Sequence, residues 1–258
     1  MDLVLADSLF AVILFLGMLL LLEAGRRIGI RRRANDTEGA QVGTGAVEGA
    51  VFGLLGLLIA FTLSGAASRF DTRRQLIIEE TNAIGTAYLR LDLLPADLQP
   101  ALRESFRRYV DARLEVYRKM PNLAAVKVEL ARVTALQGEI WSQAVTACRE
   151  TASQPATMLL LPALNEMIDI TTTRTMALQM HPPTVIFAML GGLALLSALL
   201  AGYGMAGSAT RSWLYLLGFA TIMAVTVYVI LDIEFPRLGL IRVDAFDQAL
   251  IELRQSMK

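Results

Sequence analysis

Four long apolar runs alternate with charged, amphipathic segments along this chain. The runs cover residues 8–22, 49–68, 184–206 and 213–231. The second run holds twenty consecutive positions without Asp, Glu, Lys or Arg, and about twenty apolar residues suffice for one helix to cross the hydrocarbon core of a bilayer. The first run reaches that length together with its flanking residues. We therefore predict four membrane-spanning helices.

The second apolar run leads directly into charged sequence. Residues 69–74 read RFDTRR, and the first proline of the chain is Pro95. Proline is the residue that most reliably ends a helix. We therefore predict one continuous helix from about residue 49 to residue 93, which carries the second span into the charged region that follows it.

The region 69–182 is patterned as amphipathic helices. Apolar residues recur every three or four positions, which is helical spacing, at Leu98, Leu102, Phe106, Val110, Leu114 and Tyr117, and again from Leu123 to Cys148. No segment alternates with the period of two that marks a strand. The predicted fold is all-α, a four-helix transmembrane bundle with an inserted helical domain continuous with the second transmembrane helix. The expected boundaries are 1–68 for the first two spans and their Arg-rich loop, 69–182 for the extramembrane helical domain, 183–235 for the last two spans, and 236–258 for a C-terminal tail.

Composition and motifs exclude several classes of protein. The chain has 24 basic and 24 acidic residues, so no net charge attracts it to nucleic acid. Cys148 is the single cysteine and His181 the single histidine, so we expect neither an intrachain disulfide nor a His/Cys metal site. Cys148 falls on the apolar face of its helix, which indicates a core position. No nucleophile-elbow, phosphate-loop or zinc-protease motif occurs, so neither an enzyme nor a bound cofactor or metal is expected.

Charge does not decide the orientation of the spans. The N-terminus carries Asp2 and Asp7 and no basic residue, which favours an uncleaved anchor over a signal peptide. The five arginines at positions 26–33 predict that the loop between the first two spans is cytoplasmic. The arginines at positions 69–74 and in the C-terminal tail favour the opposite side. With four spans, both termini are expected on the same side as residues 69–182.

The second span has two distinguishable faces. A stripe of small residues permits close approach of another helix in lipid, and it comprises Gly49, Gly53, Gly56 and Ala60, continued by Ser64 and Ala67. An adjacent bulky stripe comprises Phe52, Leu55, Ile59, Leu63 and Phe70. Symmetry-related copies of the bulky stripe would ring a pore and close it by dewetting. The alternative is ordinary packing in a bundle or against lipid.

Charged residues cluster at the ends of two spans. Arg69, Asp71 and Arg73 follow the second span, and Asp232 and Glu234 close the fourth. Acidic groups inside a membrane are costly and commonly functional. The two acids either lie where the helix leaves the bilayer and Pro236 stops it, or contact the arginine cluster at the same membrane face. Both interpretations stay open at the level of sequence.

Three segments of the chain match short motifs of a known protein family. Residues 52–57 (FGLLGL) and 67–76 (ASRFDTRRQL) are similar to the second transmembrane helix of bestrophins, and residues 233–236 (IEFP) with Gly239 are similar to the segment after their fourth helix. Residues 79–90 (EETNAIGTAYLR) resemble a broad bacterial family described only as bestrophin-like, of unknown function. The order of two helices, a helical insert, two helices and a tail is the layout of that family.

The resemblance implies a multi-pass protein of the bacterial inner membrane that contacts lipid and assembles as a homo-oligomer. It also implies an anion channel for a small inorganic anion, with a hydrophobic neck formed by Phe52, Ile59 and Leu63. The run of acids that binds calcium in animal bestrophins is absent, since only Asp244 and Asp247 lie within the ten residues after Gly239. Calcium gating is therefore not expected. The alternative function is a non-conducting scaffold or signalling protein that binds partners through its helical domain.

Overall fold

The computed structural model describes residues 3–35, 44–120, 122–151, 154–207, 213–237 and 239–257, and within these ranges every regular element is a helix. The α-helices are α1 (Leu3–Asn35), α2 (Thr44–Leu89), α3 (Gln99–Arg118), α4 (Leu123–Thr151), α5 (Gln154–Gln179), α6 (Thr184–Gly204), α7 (Trp213–Glu234) and α8 (Gln248–Ser256). Short 3-10 helices cover Arg90–Leu93, Met205–Gly207 and Asp244–Asp247. The predicted all-α class is confirmed.

The longest element, α2, contains 46 residues and passes from the apolar run into the charged segment without a turn. The predicted continuous helix is thus confirmed for Thr44–Leu89. Its last four predicted positions form the 3-10 helix Arg90–Leu93 instead, just before Pro95. Prolines also mark other boundaries, because Pro182 and Pro183 separate α5 from α6 and Pro236 follows α7. A proline lacks the backbone N–H that a continuing helix needs.

The chain divides into two compact units. The first comprises Met1–Ser68 and His181–Phe235, and the second comprises Arg69–Met180 and Pro236–Lys258. Within the described residues, four helical segments are long and apolar enough to cross a membrane, and they include α1, the first half of α2, α6 and α7. The assignment of the first unit to the bilayer and of the second to water stays a prediction.

Helices α1, α6 and α7 build most of the core of the first unit. Its buried apolar side chains are Leu14, Met18 and Leu22 of α1, Leu190, Ala194 and Ala198 of α6, and Ala220, Met223, Ala224, Val227, Ile230 and Leu231 of α7. From α2, Leu55 is the fully buried member of this core. The second helix is thus held to its own bundle along a narrow strip.

Two glycines bring the backbones of α1 and α6 into contact. A Cβ atom added at Gly202 would lie 2.0 Å from the carbonyl oxygen of Leu22, and one added at Gly25 would lie 2.0 Å from the carbonyl oxygen of Leu199. No side chain fits at either position unless the helices separate. Close helix packing within this chain therefore occurs at Gly25 and Gly202, which the sequence analysis did not single out.

The core of the second unit is formed by the last turns of α2 together with α3, α4, α5 and α8. Its largest fully buried apolar side chains include Ile84, Phe106, Tyr109, Ile140, Leu160 and Leu164. Cys148 is 5% exposed within this core, as its position on the apolar face of its helix predicts. Helix α8 is fixed to α3 by the Arg254 guanidinium, which donates to both carboxylate oxygens of Asp111 at 2.8 and 3.1 Å.

Candidate functional site

One side of α2 is uncovered by the rest of the described chain. Only 11% of its most apolar window is buried, against 22–33% in the other three candidate spans. Apart from Leu63, the exposed positions of residues 49–68 fall on one side at 100° per residue. We call them the open face of α2: Gly49, Ala50, Gly53, Leu54, Gly56, Leu57, Ala60, Phe61, Ser64, Ala67 and Ser68. Among them Leu57 is 54% and Phe61 is 69% exposed.

The predicted packing stripe lies on this open face. A Cβ atom added at Gly49, Gly53 or Gly56 would meet no other heavy atom within 4 Å, apart from the helix's own turns, and Ala60 is exposed. These residues therefore bring α2 close to no other described helix of the same chain. Helix packing through this stripe stays a prediction, and the partner it requires is another chain.

The predicted pore-lining residues lie beside the open face, toward the chain's own bundle. The Phe52 ring meets the Phe219 ring of α7 edge-on, with centroids 6.3 Å apart. Ile59 is half-buried against the core of the first unit, and Leu63 is 37% exposed. Residues that line a pore around an axis shared by several chains must be exposed on each single chain. Of the three, Leu63 meets that requirement best, and the lining role of this set stays a prediction.

The charged residues that follow the second span and those that close the fourth span each bond to residues of their own unit. In the second unit, the buried Arg73 guanidinium donates to the carbonyl oxygens of Ala177 (3.2 Å) and Met180 (2.9 Å). It thereby satisfies carbonyls at the end of α5, which have no partner inside the helix. Asp71 accepts from Arg74 at 3.1 Å. Arg69 is half-buried on the same stretch.

In the first unit, both acids at the end of α7 are buried. Glu234 is 0% and Asp232 is 4% exposed. The Nδ1 atom of His181 lies 3.2 Å from Glu234 Oε1, and the Tyr228 hydroxyl donates to Asp232 at 3.3 Å. Helix α7 ends at Glu234, before Pro236. These carboxylates are held by neighbouring side chains and are not open to water.

A buried charge network, which the sequence analysis did not identify, lies inside the second unit. Its centre is Glu80, which is 0% exposed. One carboxylate oxygen accepts from Arg113 Nε at 2.5 Å, and the other accepts from Arg174 Nη1. Arg113 also donates to the hydroxyl of Tyr117. Both guanidinium groups are almost completely buried, at 1% and 3% exposed.

The network continues from Arg174 to the C-terminal segment. Arg174 donates to Asp247 at 3.2 Å, and Arg237 donates to both oxygens of the same carboxylate at 2.7 and 3.0 Å. The ring of Tyr117 faces the guanidinium groups of Arg174 at 4.0 Å and Arg237 at 4.2 Å. Cations over an aromatic face are attracted by the ring's electron density. The network therefore ties α2, α3 and α5 to the segment after Pro236.

The ionisation of Glu80 follows from its two partners. Burial opposes the charged form, but the positive charges of Arg113 and Arg174 and their hydrogen bonds outweigh it, so the pKa of Glu80 lies below its usual value. Burial likewise opposes the charged form of Arg113, but the negative charge of Glu80 outweighs this effect and raises the pKa of the guanidinium. Glu80 and Arg113 are therefore both charged at neutral pH.

Acid is expected to destabilise the second unit through Glu80. The pKa of Glu80 in the folded state lies below its unfolded value of about 4.3. The stability that Glu80 contributes is therefore fully present above the unfolded pKa and is lost as the pH falls through the folded pKa. Denaturant titrations followed by circular dichroism should show the wild-type free energy of unfolding falling more steeply below about pH 4 than that of Glu80→Gln. Parallel pH profiles would contradict this assignment.

Asp244 and Asp247, which follow Gly239, are paired with arginines. Arg237 holds Asp247, and Arg242 Nη2 lies 2.6 Å from Asp244. Among the described residues no group of three or more His, Cys, Asp or Glu side chains is placed to hold a metal ion. Guanidinium groups thus neutralise the carboxylates of this segment.

Comparison with known proteins extends the fold assignment to a family. The Bestrophin-like domain family matches residues 8–245. The crystal structure of a point variant of a bacterial bestrophin homologue from Klebsiella pneumoniae superposes with a TM-score of 0.66 at 15% identity, over 93% of this chain and 98% of its own. A second variant of that homologue gives a TM-score of 0.65 at 16% identity, over 94% and 97%.

No curated protein sequence matches the chain significantly. Identities this low show a shared fold and carry no residue roles with them. The family match, by contrast, extends over residues 8–245, and it agrees with the four apolar helical segments of a membrane protein. The resemblance expected from the sequence is therefore confirmed, and the chain belongs to the Bestrophin-like family.

Proposed function

We propose that this protein is an oligomeric ion channel of the bacterial inner membrane, with a conduit lined by α2. The observation that carries the proposal is the open face of α2. A face that combines Gly49, Gly53 and Gly56 with Ser64 and Ser68 is poorly suited to lipid, because small residues leave acyl chains little to pack against and favour close helix contacts instead. Copies of the same chain around one axis would cover it.

The two halves of the open face suit different contacts in such an assembly. The small stripe of Gly49, Gly53, Gly56 and Ala60 permits the α2 helices of neighbouring copies to approach closely. Leu57 and Phe61 project about 70° and about 110° from the centre of that stripe at 100° per residue and would narrow the conduit. A dry constriction of this kind resists ions because they must shed water to pass.

Two sets of residues are therefore candidates for the neck. The first, predicted from the sequence and the bestrophin resemblance, is Phe52, Ile59 and Leu63. The second, supported by exposure on the single chain, contains Leu57 and Phe61. Both sets lie on α2, and paired truncations with alanine distinguish them.

Widening the neck is expected to raise conductance. In planar lipid bilayers, Leu57→Ala with Phe61→Ala should increase the single-channel conductance, whereas Ile59→Ala with Leu63→Ala should change it less. The control pair lies at the edge of the open face, where Ile59 is half-buried against the core of the first unit and Leu63 is 37% exposed. A larger effect of the control pair would assign the neck to the set predicted from the sequence.

The competing function, a non-conducting scaffold, has one observation in its favour. The second unit exposes large apolar side chains, with Leu123 65%, Val128 66% and Met158 72% exposed. Exposed apolar groups of this size are typical of surfaces that bind partners. A monomeric mass in native-like lipid, together with no ion flux in liposomes from the wild type or the widened variant, would favour the scaffold over the channel.

A further inference from the structure

We infer that the last turns of α1 bind the headgroups of anionic phospholipids. These turns carry Arg26, Arg27, Arg31, Arg32 and Arg33, and we call the five residues the arginine end of α1. The inference rests on the membrane location in the proposed function and is independent of whether the protein conducts ions. It follows from the exposure, spacing and packing of one helix within the first unit.

The exposed side of α1 changes from apolar to cationic without a break in the helix. Ile13, Leu16 and Leu20 are 59%, 52% and 73% exposed, as suits side chains that face acyl chains. Residues 7 or 11 positions apart project from the same side of a helix to within about 20°. Arg27 and Arg31 stand at these two spacings after Leu20, and both are exposed. A lipid that lies against Leu20 therefore meets the two arginines at its headgroup.

The length of α1 brings the arginines to the level of the headgroups. The helix has 33 residues and is about 50 Å long at 1.5 Å per residue, whereas a bilayer with its headgroups is about 40–45 Å thick. The apolar run ends at Leu22. Arg27 and Arg31 lie about 8 and about 14 Å farther along the axis. Arginine side chains are long enough to reach back toward the hydrocarbon edge, so both guanidinium groups come within reach of lipid phosphates.

Close packing against the end of α6 holds the arginine end in place. A Cβ atom added at Gly29 would lie 2.5 Å from the Cβ atom of Ala206 and 2.8 Å from the carbonyl oxygen of Tyr203. The Arg33 guanidinium lies against the backbone of Gly207, since a Cβ atom added there would overlap it. The arginines are therefore carried by a backbone that is ordered before a lipid arrives, which lowers the entropic cost of binding.

Positive charge is in excess at this end of the first unit. Glu23 accepts from Arg27 Nε at 2.7 Å, and the carboxylate of Glu48 lies beside Gly204. Within the described residues, the other four arginines form no ion pair. Guanidinium groups match phosphate oxygens in geometry as well as in charge, and clusters of four to eight basic residues next to a membrane-spanning helix are typical of sites for anionic lipids.

Exposed apolar side chains at this end favour a lipid over a nucleic acid or an acidic protein. Ile28 and Ile30, within the arginine end, are 52% and 47% exposed. Trp213 and Tyr215, in the first turn of α7, are 58% and 70% exposed, and such aromatic residues concentrate where a bilayer meets water. Phospholipids place acyl carbons directly below their phosphates. This surface therefore offers cations to the headgroup and apolar groups to the chains beneath it.

Lipid retention from a mixed bilayer tests this inference. The full chain is placed in nanodiscs with equal amounts of dioleoylphosphatidylglycerol and dioleoylphosphatidylcholine, and native mass spectrometry counts the lipids that stay bound. The wild type should retain an excess of phosphatidylglycerol. Arg31→Gln with Arg32→Gln should lower the ratio of the two lipids at least about fivefold, since each arginine near an anionic surface contributes a factor of about five. Arg31→Lys with Arg32→Lys should keep most of the excess, because the charges stay.

The matched control is Arg108→Gln with Arg118→Gln. It removes the same two charges from exposed side chains of the second unit, which pair with Glu139 at 3.2 Å and Glu115 at 3.0 Å, and it should leave the lipid ratio unchanged. Glutamine and arginine have similar helix propensities. All the glutamine variants should therefore keep the melting temperature of the wild type in detergent, so a changed ratio is not a folding defect.

The outcomes separate this inference from the proposed function. An unchanged lipid ratio in the glutamine variant of α1, an equal fall in the control, or a lysine variant no better than the glutamine variant would overturn it. An unchanged ratio together with lost binding to heparin would assign the arginine end to a soluble polyanion instead. No retained phospholipid of either kind would overturn the membrane location itself. A missing ion current would count against the channel alone, because lipid retention is measured without current.

Discussion

Gly202→Ala is expected to separate α1 from α6 and to lower the free energy of unfolding by about 3 kcal/mol, near the upper end of the typical cost of overpacking. The added Cβ atom would lie 2.0 Å from the carbonyl oxygen of Leu22, with the Leu22 carbonyl carbon and Cα within 2.9 Å. These are backbone atoms, so no rotation of a side chain relieves the contact. The fraction of purified protein that stays folded in detergent on heating measures the loss.

The matched control lies in the same helix. Gly192→Ala adds the same methyl group at a position where no other heavy atom lies within 4 Å. Alanine is also the better helix former. The control should therefore keep or slightly raise the melting temperature. If both variants melt alike, the α1–α6 contact is looser than the structure shows.

Helix content and continuity were predictable because they depend on neighbouring residues. The length of an apolar run and the absence of proline between residues 49 and 93 act on the backbone locally. The same is true of α3, where Leu102, Phe106 and Val110 mark one face and are all buried. Local sequence was therefore sufficient to predict the class and the course of α2.

The buried face of α2 was not predictable in the same way. Within 52–63 nearly every position is apolar, so the periodicity that distinguishes inside from outside disappears. Leu54, Leu55 and Leu57 are identical in chemistry, yet Leu55 is 2% exposed and the other two are 52% and 54% exposed. Only the packing partners, such as Phe219 opposite Phe52, decide which leucine faces the bundle.

The charge network was also beyond the reach of sequence reasoning. Glu80 meets Arg113 and Arg174, which are 33 and 94 residues away. One signal was present, because Arg113 stands in the apolar pattern of α3 between Val110 and Leu114. A charged residue next to such a stripe indicates a buried pair, but its partner becomes visible only in the folded chain.

Glu80→Gln is expected to destabilise the second unit by about 3–5 kcal/mol, the typical cost of removing one partner of a buried ion pair. The glutamine would leave Arg113 and Arg174 buried without a carboxylate between them. Denaturant unfolding followed by circular dichroism measures the change. The neighbouring variant Glu79→Gln makes the same chemical change at an exposed position and should shift the free energy of unfolding by no more than about 0.5 kcal/mol.

A double variant tests whether the loss comes from unpaired charge. Arg113→Leu in the Glu80→Gln background removes one of the two stranded guanidinium groups, so its additional cost should be smaller than the cost of Arg113→Leu in the wild type. Replacing Glu80, Arg113 and Arg174 together with leucine or methionine should recover part of the stability, because a buried ion network is replaceable by apolar packing. Strictly additive losses across these variants would show that Glu80 stabilises the unit by packing volume rather than by its charge.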